Sequence, residues 1–463
     1  MANKPNILFI ITDDLRYDAI AALGNPDVIT PNIDEIVRNG VAFTQAHMPG
    51  STTHPVCMPS RAMIHTGRHL FSWQDHGETI PEEHALLGEI LQREGYRTVG
   101  IGKWHNGTRS YARSFTDGGT IFFSGMWDHW NVPVCDYDPT GTYDNVKNFI
   151  SNPFYESTVT KLHCDRIYPG KHSSELFAET AVNWLENDDG EDPFMLYVAF
   201  MAPHDPKSMP DEFLAMYDPQ KLHLPENIAA EHPFNYGMKY HRDEVLAPYP
   251  RTPEIVRRHL AAYYAMITHM DRELGKILDA LKRKGKYENT IIVFMADHGL
   301  ALGQHGLFGK QNNYDHSVRV PLIIAGPGIP KNETRDSYVY HFDIFPTLCE
   351  LIGAEIPPSL EAKSLMPLIR DRNAKIREDL YFAYDDMIRG TKDERFKLLE
   401  YRGEGVRETQ LFDLKNDPLE TNNLYGQPGY EEVTRKLREQ LMRYKEKWGD
   451  ETHPTGQRFW SRY

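Results

Sequence analysis

Cys57-Met58-Pro59-Ser60-Arg61 is the sharpest chemical feature of this sequence. A cysteine just ahead of a helix lies where free backbone N–H groups and the helix dipole favour an anion. Arg61, one turn further on, can point back at the same spot and clamp an oxyanion. Taken alone, a cysteine near a helix start reads first as a buried structural cysteine with a surface arginine. A second signal sits at the ends of apolar runs. Asp13-Asp14 follows Asn6–Thr12, His204 follows Pro193–Met201, and Asp297-His298 follows Asn289–Ala296. Carboxylate oxygens are hard ligands suited to calcium or magnesium, so acidic groups at two such ends ask for a divalent cation. A single Asp-Asp after a strand is also a turn or a helix cap. Its recurrence at a second strand is what favours a metal.

These residues need a scaffold that gathers strand ends, and open α/β sheets collect ligands there. Asn6–Thr12 is a continuous apolar, β-branched run, as in a strand covered on both faces. A helix is predicted over Pro31–Asn39, capped by Thr30 and stopped by Gly40, with a strand over Val41–Thr44. A short helix is predicted over Ser60–Thr66, with Pro59 in its first turn and Gly67 as its stop. Further predicted elements are a helix at His84–Glu94, a turn and strand at Gly95–Gly102, a helix at Ser173–Glu186 and strands at Pro193–Met201, Asn289–Ala296 and Val320–Ala325. Thr252-Pro253 opens a long helix running to Gly285, with an apolar stripe including Leu260, Tyr264, Ile267, Leu274, Leu278 and Leu281. Asp271 lies on that face and is read as a buried hydrogen-bonding carboxylate. Residues 106–170 read as long surface loops with short strands, and 205–250 as irregular chain.

From about residue 375 the texture changes. Leu380–Ala383, Phe396–Tyr401 and Gln410–Asp413 predict an antiparallel sheet closed by a helix over Tyr430–Lys447. The expected fold is α/β: a large mixed, mostly parallel sheet flanked by helices, with a smaller C-terminal α+β subdomain. The corresponding division is a catalytic domain at 1–374 and a subdomain at 375–463.

Cys57-x-Pro59-Ser60-Arg61, continued by Ala62-Met63-Ile64-His65-Thr66-Gly67-Arg68, resembles the signature of the type I sulfatases. Other segments are similar to that family in the same order. They are Asn6–Asp14, Gly102-Lys103-Trp104-His105, Ala202-Pro203-His204-Asp205-Pro206, Asp297-His298-Gly299, Gly303-Gln304-His305-Gly306, Gly309-Lys310 and Val318–Ile324, then Phe342–Leu348 and Leu411–Asp417. The resemblance implies an alkaline-phosphatase-like fold and oxidation of Cys57 to formylglycine by a maturation enzyme. A geminal diol at that position attacks sulfur in line, and its second hydroxyl then expels sulfate, a step an unmodified thiol cannot perform. Asp13, Asp14, Asp297 and His298, with modified Cys57, are the implied ligands of one divalent cation, Ca2+ ahead of Mn2+ or Mg2+. The resemblance also implies that Arg61 holds the nucleophile and metal cluster, Lys103 and Lys310 grip sulfate oxygens, His105 serves as base in the elimination, and His204 protonates the leaving alcohol. One departure is His298, where many family members carry Asn. An imidazole suits manganese or zinc better than calcium; some sulfatases carry His there, as do related phosphonate monoester hydrolases and phosphodiesterases. The metal, and sulfur against phosphorus preference, therefore stay partly open, although Asp13-Asp14 and Pro59-Ser60-Arg61 are more similar to the sulfatases, which keeps that reading first.

The alcohol that carries the sulfate must be read elsewhere. Phe122, Phe123, Trp127, Trp130, Tyr137 and Tyr143 are interleaved with Asp128, His129, Asn131, Asp136 and Asp138. Aromatics among hydrogen-bonding groups suit a sugar; they are equally the anchors of an ordinary loop. Trp127, Trp130, Asn312, Asn313 and His316 are the substrate-binding candidates, and His223, His232, Tyr236, Tyr240, His241 and Arg242 offer a second cleft wall. A carbohydrate sulfate is expected ahead of an aryl or steroid sulfate. The alternatives are a phosphonate monoester or phosphodiester hydrolase, and a non-catalytic sulfated-glycan binder with unmodified Cys57.

With 463 residues, 51 Lys+Arg and 66 Asp+Glu, the chain carries a net charge of −15. That balance argues against a general nucleic-acid or anionic-membrane binder. It does not exclude an anionic substrate, because recognition is local. It favours a small or end-bound sulfated sugar over a long polyanion held along its length. No apolar run reaches the roughly 18–20 residues of a membrane span. Four cysteines are too few for a disulfide scaffold; Cys135 and Cys164 are read as free thiols ahead of a pair. No signal peptide is read at the N-terminus. A cytoplasmic location is expected if Met1 is the native start, and a periplasmic or other extracytoplasmic one if a processed export signal precedes it.

Overall fold

The computed structural model describes residues 4–73, 75–150, 159–403 and 405–463. Its main sheet has eight strands: Asn6–Thr12 (β1), Gly40–Phe43 (β2), Arg97–Lys103 (β3), Asp117–Phe122 (β4), Phe194–Ala199 (β5), Thr290–Ala296 (β6), Leu322–Ala325 (β7) and Glu333–Arg335 (β8). Their order is β8-β2-β7-β6-β1-β5-β3-β4. β7 runs antiparallel to both neighbours, and the other neighbouring pairs are parallel. β1 lies between β5 and β6 and is buried along its whole length, which is why it reads as an unbroken apolar run. Its carboxyl end is level with theirs: Asp297 N donates to Thr12 O at 3.1 Å and Asp13 N to Ala202 O at 3.3 Å. The reactive ends of β1, β5 and β6 are therefore neighbours.

Two groups of helices flank the sheet. Pro31–Arg38, Ser173–Asn187 and the long helix Pro253–Arg283 pack together; Cys57–Thr66, Leu87–Arg93 and Ile344–Ile352 form the second group. Thr252 caps the long helix by accepting from Ile255 N. Asp271 accepts hydrogen bonds from Asn32 N, Asn32 Nδ2 and Ile33 N, tying that helix to the start of Pro31–Arg38.

The C-terminal sheet holds Leu380–Tyr384, Ile388–Lys392, Phe396–Tyr401 and Glu408–Asp413 in an antiparallel meander, with the helix Glu431–Lys447 against it. Its fifth strand is Gly50–Ser51, which pairs parallel with Leu380–Tyr384. A Cβ at Gly50 would stand 1.8 Å from Ala383 O, so only glycine lets the two chains approach this closely. Asp315, which follows β6 in the chain, ties this sheet to the main-sheet part of the molecule: it is buried, and it accepts from Lys392 and Lys397, each at 2.8 Å.

Several boundaries differ from expectation. The signature helix begins at Cys57, three residues earlier than Ser60. Gly40 opens β2 rather than merely stopping a helix, and the predicted helix at His84 starts at Leu87. Asp117–Phe122, expected among surface loops, is a main-sheet strand; its Asp and Gly-rich start hides the period-two pattern. Ile388–Lys392 is also a strand; with Arg389 and Lys392 buried, it carries no apolar alternation that predicts one. The four cysteines are free.

Candidate active site

The helix Cys57–Thr66 ends at Gly67, which adopts the left-handed conformation at φ 61°. Ser60 fixes the helix to the end of β6: its Oγ donates to Asp297 O at 2.6 Å and lies 2.8 Å from His341 Nε2. Asn106 Nδ2 donates to Met58 O at 2.9 Å. Arg61 is wholly buried and makes three bonds: Nε to Asp297 Oδ2 at 2.9 Å, Nη2 to Asp13 Oδ2 at 3.1 Å and Nη1 to Lys103 O at 2.9 Å. One guanidinium thus joins the ends of β1, β3 and β6.

Lys103, the last residue of β3, points its ammonium at Asp13 and at Gly125 O, with Cys57 Sγ 3.6 Å away. Lys310 Nζ donates to Asp14 Oδ1 at 2.8 Å. His298 Nδ1 lies 3.1 Å from Asp14 Oδ1, while its Nε2 lies 3.8 Å from Asp13 Oδ1 and 3.6 Å from Asp297 Oδ1. His204 Nδ1 is 2.7 Å from Asp205 O, which turns Nε2 to within 3.9 Å of Asp14 Oδ2. His105 is packed against Gly125, where a Cβ would meet its ring at 2.6 Å. Asp14 and His105 both carry positive φ, 68° and 72°, a strained backbone for residues with side chains.

Electrostatics single out the same cluster. Burial raises the Cys57 thiol, but Lys103, His105 and Lys310 outweigh it and hold the thiol well below its ordinary value. Burial likewise opposes charge on Asp13, and Lys103, His204 and Arg61 overcome it. Asp297 is pushed up by burial and by Asp13. His298 moves up as well, because Asp297 and Asp14 outweigh its burial. Asp13 Oδ1 and His298 Nε2 are buried without a hydrogen-bond partner and face one another. Buried polar atoms without partners imply a missing ligand, and a carboxylate–imidazole donor set fits a divalent cation.

Arg242, Asp243, Gln311 and His54 border this cluster, and the sequence reveals only some of them. Asp243 accepts from Gln311 Nε2 at 2.6 Å and from Arg242 Nη1 at 2.8 Å; Arg242 also pairs with Asp205. His54 meets the His241 ring edge-on at 5.2 Å and stacks on Tyr384 at 6.5 Å. Asp243, Gln311 and His54 sit in no recognisable pattern; adjacency to Lys310 was the sole signal for Gln311.

The substrate-binding candidates do not form one group. Trp127 is half-buried and meets Phe149 at 5.3 Å, and Trp130 packs edge-on against His172 at 5.1 Å. Asn312 turns inward, its Oδ1 accepting from Tyr314 N at 3.1 Å. Asn313 is buried with both amide atoms unpartnered. His316 lies in a stack with Tyr314 and His305 and lines a cavity with Arg16 and Gln304. His232 and Tyr236 pack with Tyr401, whereas Tyr240 is 79 % exposed and His223 pairs with Asp27 on the surface.

A mostly parallel sheet bearing this centre at its carboxyl edge is the architecture of the alkaline-phosphatase-like hydrolases. Within that class the chain belongs to the sulfatase family, whose model matches residues 5–354; the model for the C-terminal part of N-sulphoglucosamine sulphohydrolase matches residues 303–447. It is 31 % identical to an ulvan-active sulfatase of Formosa agariphila, over 97 % of this chain and 82 % of that protein. A solved structure in complex with its substrate D-glucosamine-2-N,6-O-disulfate superposes with a TM-score of 0.73 at 22 % identity, covering 97 % of this chain and 99 % of the other. The phosphonate monoester hydrolase of Agrobacterium radiobacter shares the fold with a TM-score of 0.74 at 22 % identity, over 96 % of each chain. The chain is a sulfuric ester hydrolase. Among the described residues, no helix is long and apolar enough to cross a membrane.

Proposed function

We propose that this sulfatase hydrolyses the sulfate ester of a small or end-bound carbohydrate, using formylglycine made from Cys57 by a maturation enzyme. The observation that carries the reading is the placement of Cys57 at the first residue of a buried helix, 3.6 Å from Lys103 Nζ. The sugar is supported by the relatives: one acts on ulvan, and one holds a disulfated glucosamine.

Asp13, Asp14, Asp297 and His298, with the modified Cys57, would hold a divalent cation, Ca2+ ahead of Mn2+ or Mg2+. The cation and the formylglycine hydrate together supply Lewis acidity and an oxygen nucleophile whose second hydroxyl allows sulfate to leave. Charge explains why a cation belongs here. Arg61, Lys103 and Lys310 balance Asp13, Asp14 and Asp297, so an incoming sulfate ester needs further positive charge. Lys103 and Lys310 then bind the sulfate oxygens, with donors fixed before substrate arrives. His105, beside Cys57 and held neutral mainly by burial, takes the proton of the hydroxyl that expels sulfate. His204, with Nδ1 committed to Asp205 O, presents Nε2 to the leaving oxygen.

Intact-mass analysis of the Cys57 peptide from the native host tests the modification, and a panel of sulfated mono- and disaccharides tests the substrate. Cys57→Ala is expected to release no sulfate while keeping its unfolding midpoint. Unaltered cysteine in active protein would refute the nucleophile assignment. His298 favours a second reading, phosphonate monoester or phosphodiester hydrolysis on the same scaffold. Sulfate and phosphate esters of one leaving group, assayed side by side, separate the two.

A further inference from the structure

Far from the Cys57 helix in sequence, a second group of donors lies between two helices. Glu175 stands in the first turn of Ser173–Asn187. His269 and Glu273 lie one turn apart on Pro253–Arg283, and both are completely buried. His269 Nε2 is 3.4 Å from Glu175 Oε1, and one ligand atom from each of the three residues lies within 4.8 Å of the others. Neither ring nitrogen of His269 makes a hydrogen bond, although the ring is enclosed by His172 at 4.6 Å and Phe213 at 4.8 Å. Buried polar groups are normally paired, so the two idle nitrogens, set beside two carboxylates, call for a ligand.

We propose that Glu175, His269 and Glu273 form a second metal site, for a borderline divalent ion of the zinc class, separate from the centre at Cys57. One imidazole nitrogen and two carboxylates are a donor set that zinc accepts and calcium or magnesium does not favour. The local charges agree. Burial keeps His269 neutral, so a lone pair is free. Burial and the neighbouring Glu273 push Glu175 up, a repulsion that a cation relieves. Glu273 now accepts from Lys276 Nζ at 2.7 and 2.6 Å and lies 3.5 Å from Arg272 Nε; both cationic side chains are about half exposed, so an ion would displace them towards solvent. Glu175, 26 % exposed, marks the way in.

The site is connected to the reaction centre by a column of rings. His269 meets His172 edge-on, and His172 stacks on His129 at 5.0 Å. His129 Nε2 lies 3.0 Å from His204 O, and its Nδ1 lies 2.7 Å from Ser173 Oγ at the start of the Glu175 helix. A metal there ties together the two helices on which this column rests. Its role is positioning.

The test is a count of zinc per chain. Protein equilibrated with Zn2+ in excess Ca2+ is separated from free ion and analysed for metal, as wild type, Glu175→Gln, Glu273→Gln and Asp14→Asn. The expected result is that Glu175→Gln and Glu273→Gln each lose a zinc that Asp14→Asn keeps, and that Zn2+ raises the unfolding midpoint of wild type but not of Glu175→Gln. Co2+ in place of Zn2+ should give a visible absorption band that Glu175→Gln lacks. Equal zinc content in wild type and Glu175→Gln overturns the proposal. So does a wild-type chain that takes up no zinc beyond what Asp14→Asn loses, a result that needs no variant at the helix site to fold.

Discussion

Arg61 Nε donates to Asp297 Oδ2 at 2.9 Å, and neither side chain reaches solvent. The bond fixes the Cys57 helix to the end of β6. Removing one partner of a buried pair leaves an uncompensated charge, at a cost of about 3–5 kcal/mol. Arg61→Met is therefore expected to lower the unfolding free energy by that order in denaturant titrations and to release no sulfate. Arg61→Lys keeps the charge but loses the fork that reaches Asp13 and Lys103 O. It should recover part of the stability and little of the activity.

If Asp13, Asp14, Asp297 and His298 hold the proposed cation, stability should depend on it. An ion at 100 times its dissociation constant adds about 2.7 kcal/mol to the folded state. Thermal unfolding with and without chelator should show a rise of that order in wild type and almost none in Asp14→Asn. His298→Asn should favour Ca2+ over Mn2+ relative to wild type, because it replaces a nitrogen ligand by oxygen. An unchanged preference would remove His298 from the ligand set.

His204 should matter in proportion to how badly the leaving group needs a proton. For alkyl and sugar sulfates, His204→Gln is expected to slow turnover by about 10²–10⁴-fold. For a nitrophenyl sulfate, whose phenolate leaves unaided, the loss should be much smaller. Equal losses on both esters would move the acid role to another residue.

Asp271 gives a pH signature outside the active site. Burial raises it from 3.8 to about 6, against hydrogen bonds from Ile33 and Asn32 that pull it down. Because its folded value lies above its unfolded value, the folded chain holds the extra proton between the two. Its contribution to stability is thus largest at low pH and falls as pH rises through this window. The stability of wild type minus that of Asp271→Asn should drop by about 2–3 kcal/mol between about pH 4 and about pH 7, then stay flat. Denaturation midpoints across pH measure it.

The central strands were legible because burial on both faces leaves one solution for a run such as Asn6–Thr12, and strand-end residues inherit their position from that. Asp13, Asp14, Asp297 and His298 meet for this reason. Asp117–Phe122 and Ile388–Lys392 were not legible. Their pairing is imposed by neighbours, and the buried Arg389 and Lys392 are satisfied by Asp450 and Asp315, residues remote in sequence. The same holds for Asp243 and Gln311: a buried polar pair leaves no local pattern. Trp127 and Trp130 mark the reach of composition, which does not separate a ring that receives a sugar from one that holds a loop.

The short strand Gly50–Ser51 has a bearing on the order of events in the life of the chain. Its hydrogen-bonding partner, Leu380–Tyr384, emerges from the ribosome several hundred residues later. Until then the segment leading into Cys57 lacks the strand that anchors it. In the finished fold Cys57 is only 3 % exposed. An enzyme that must reach this thiol, as the proposed maturation requires, is expected to meet it before the C-terminal sheet closes.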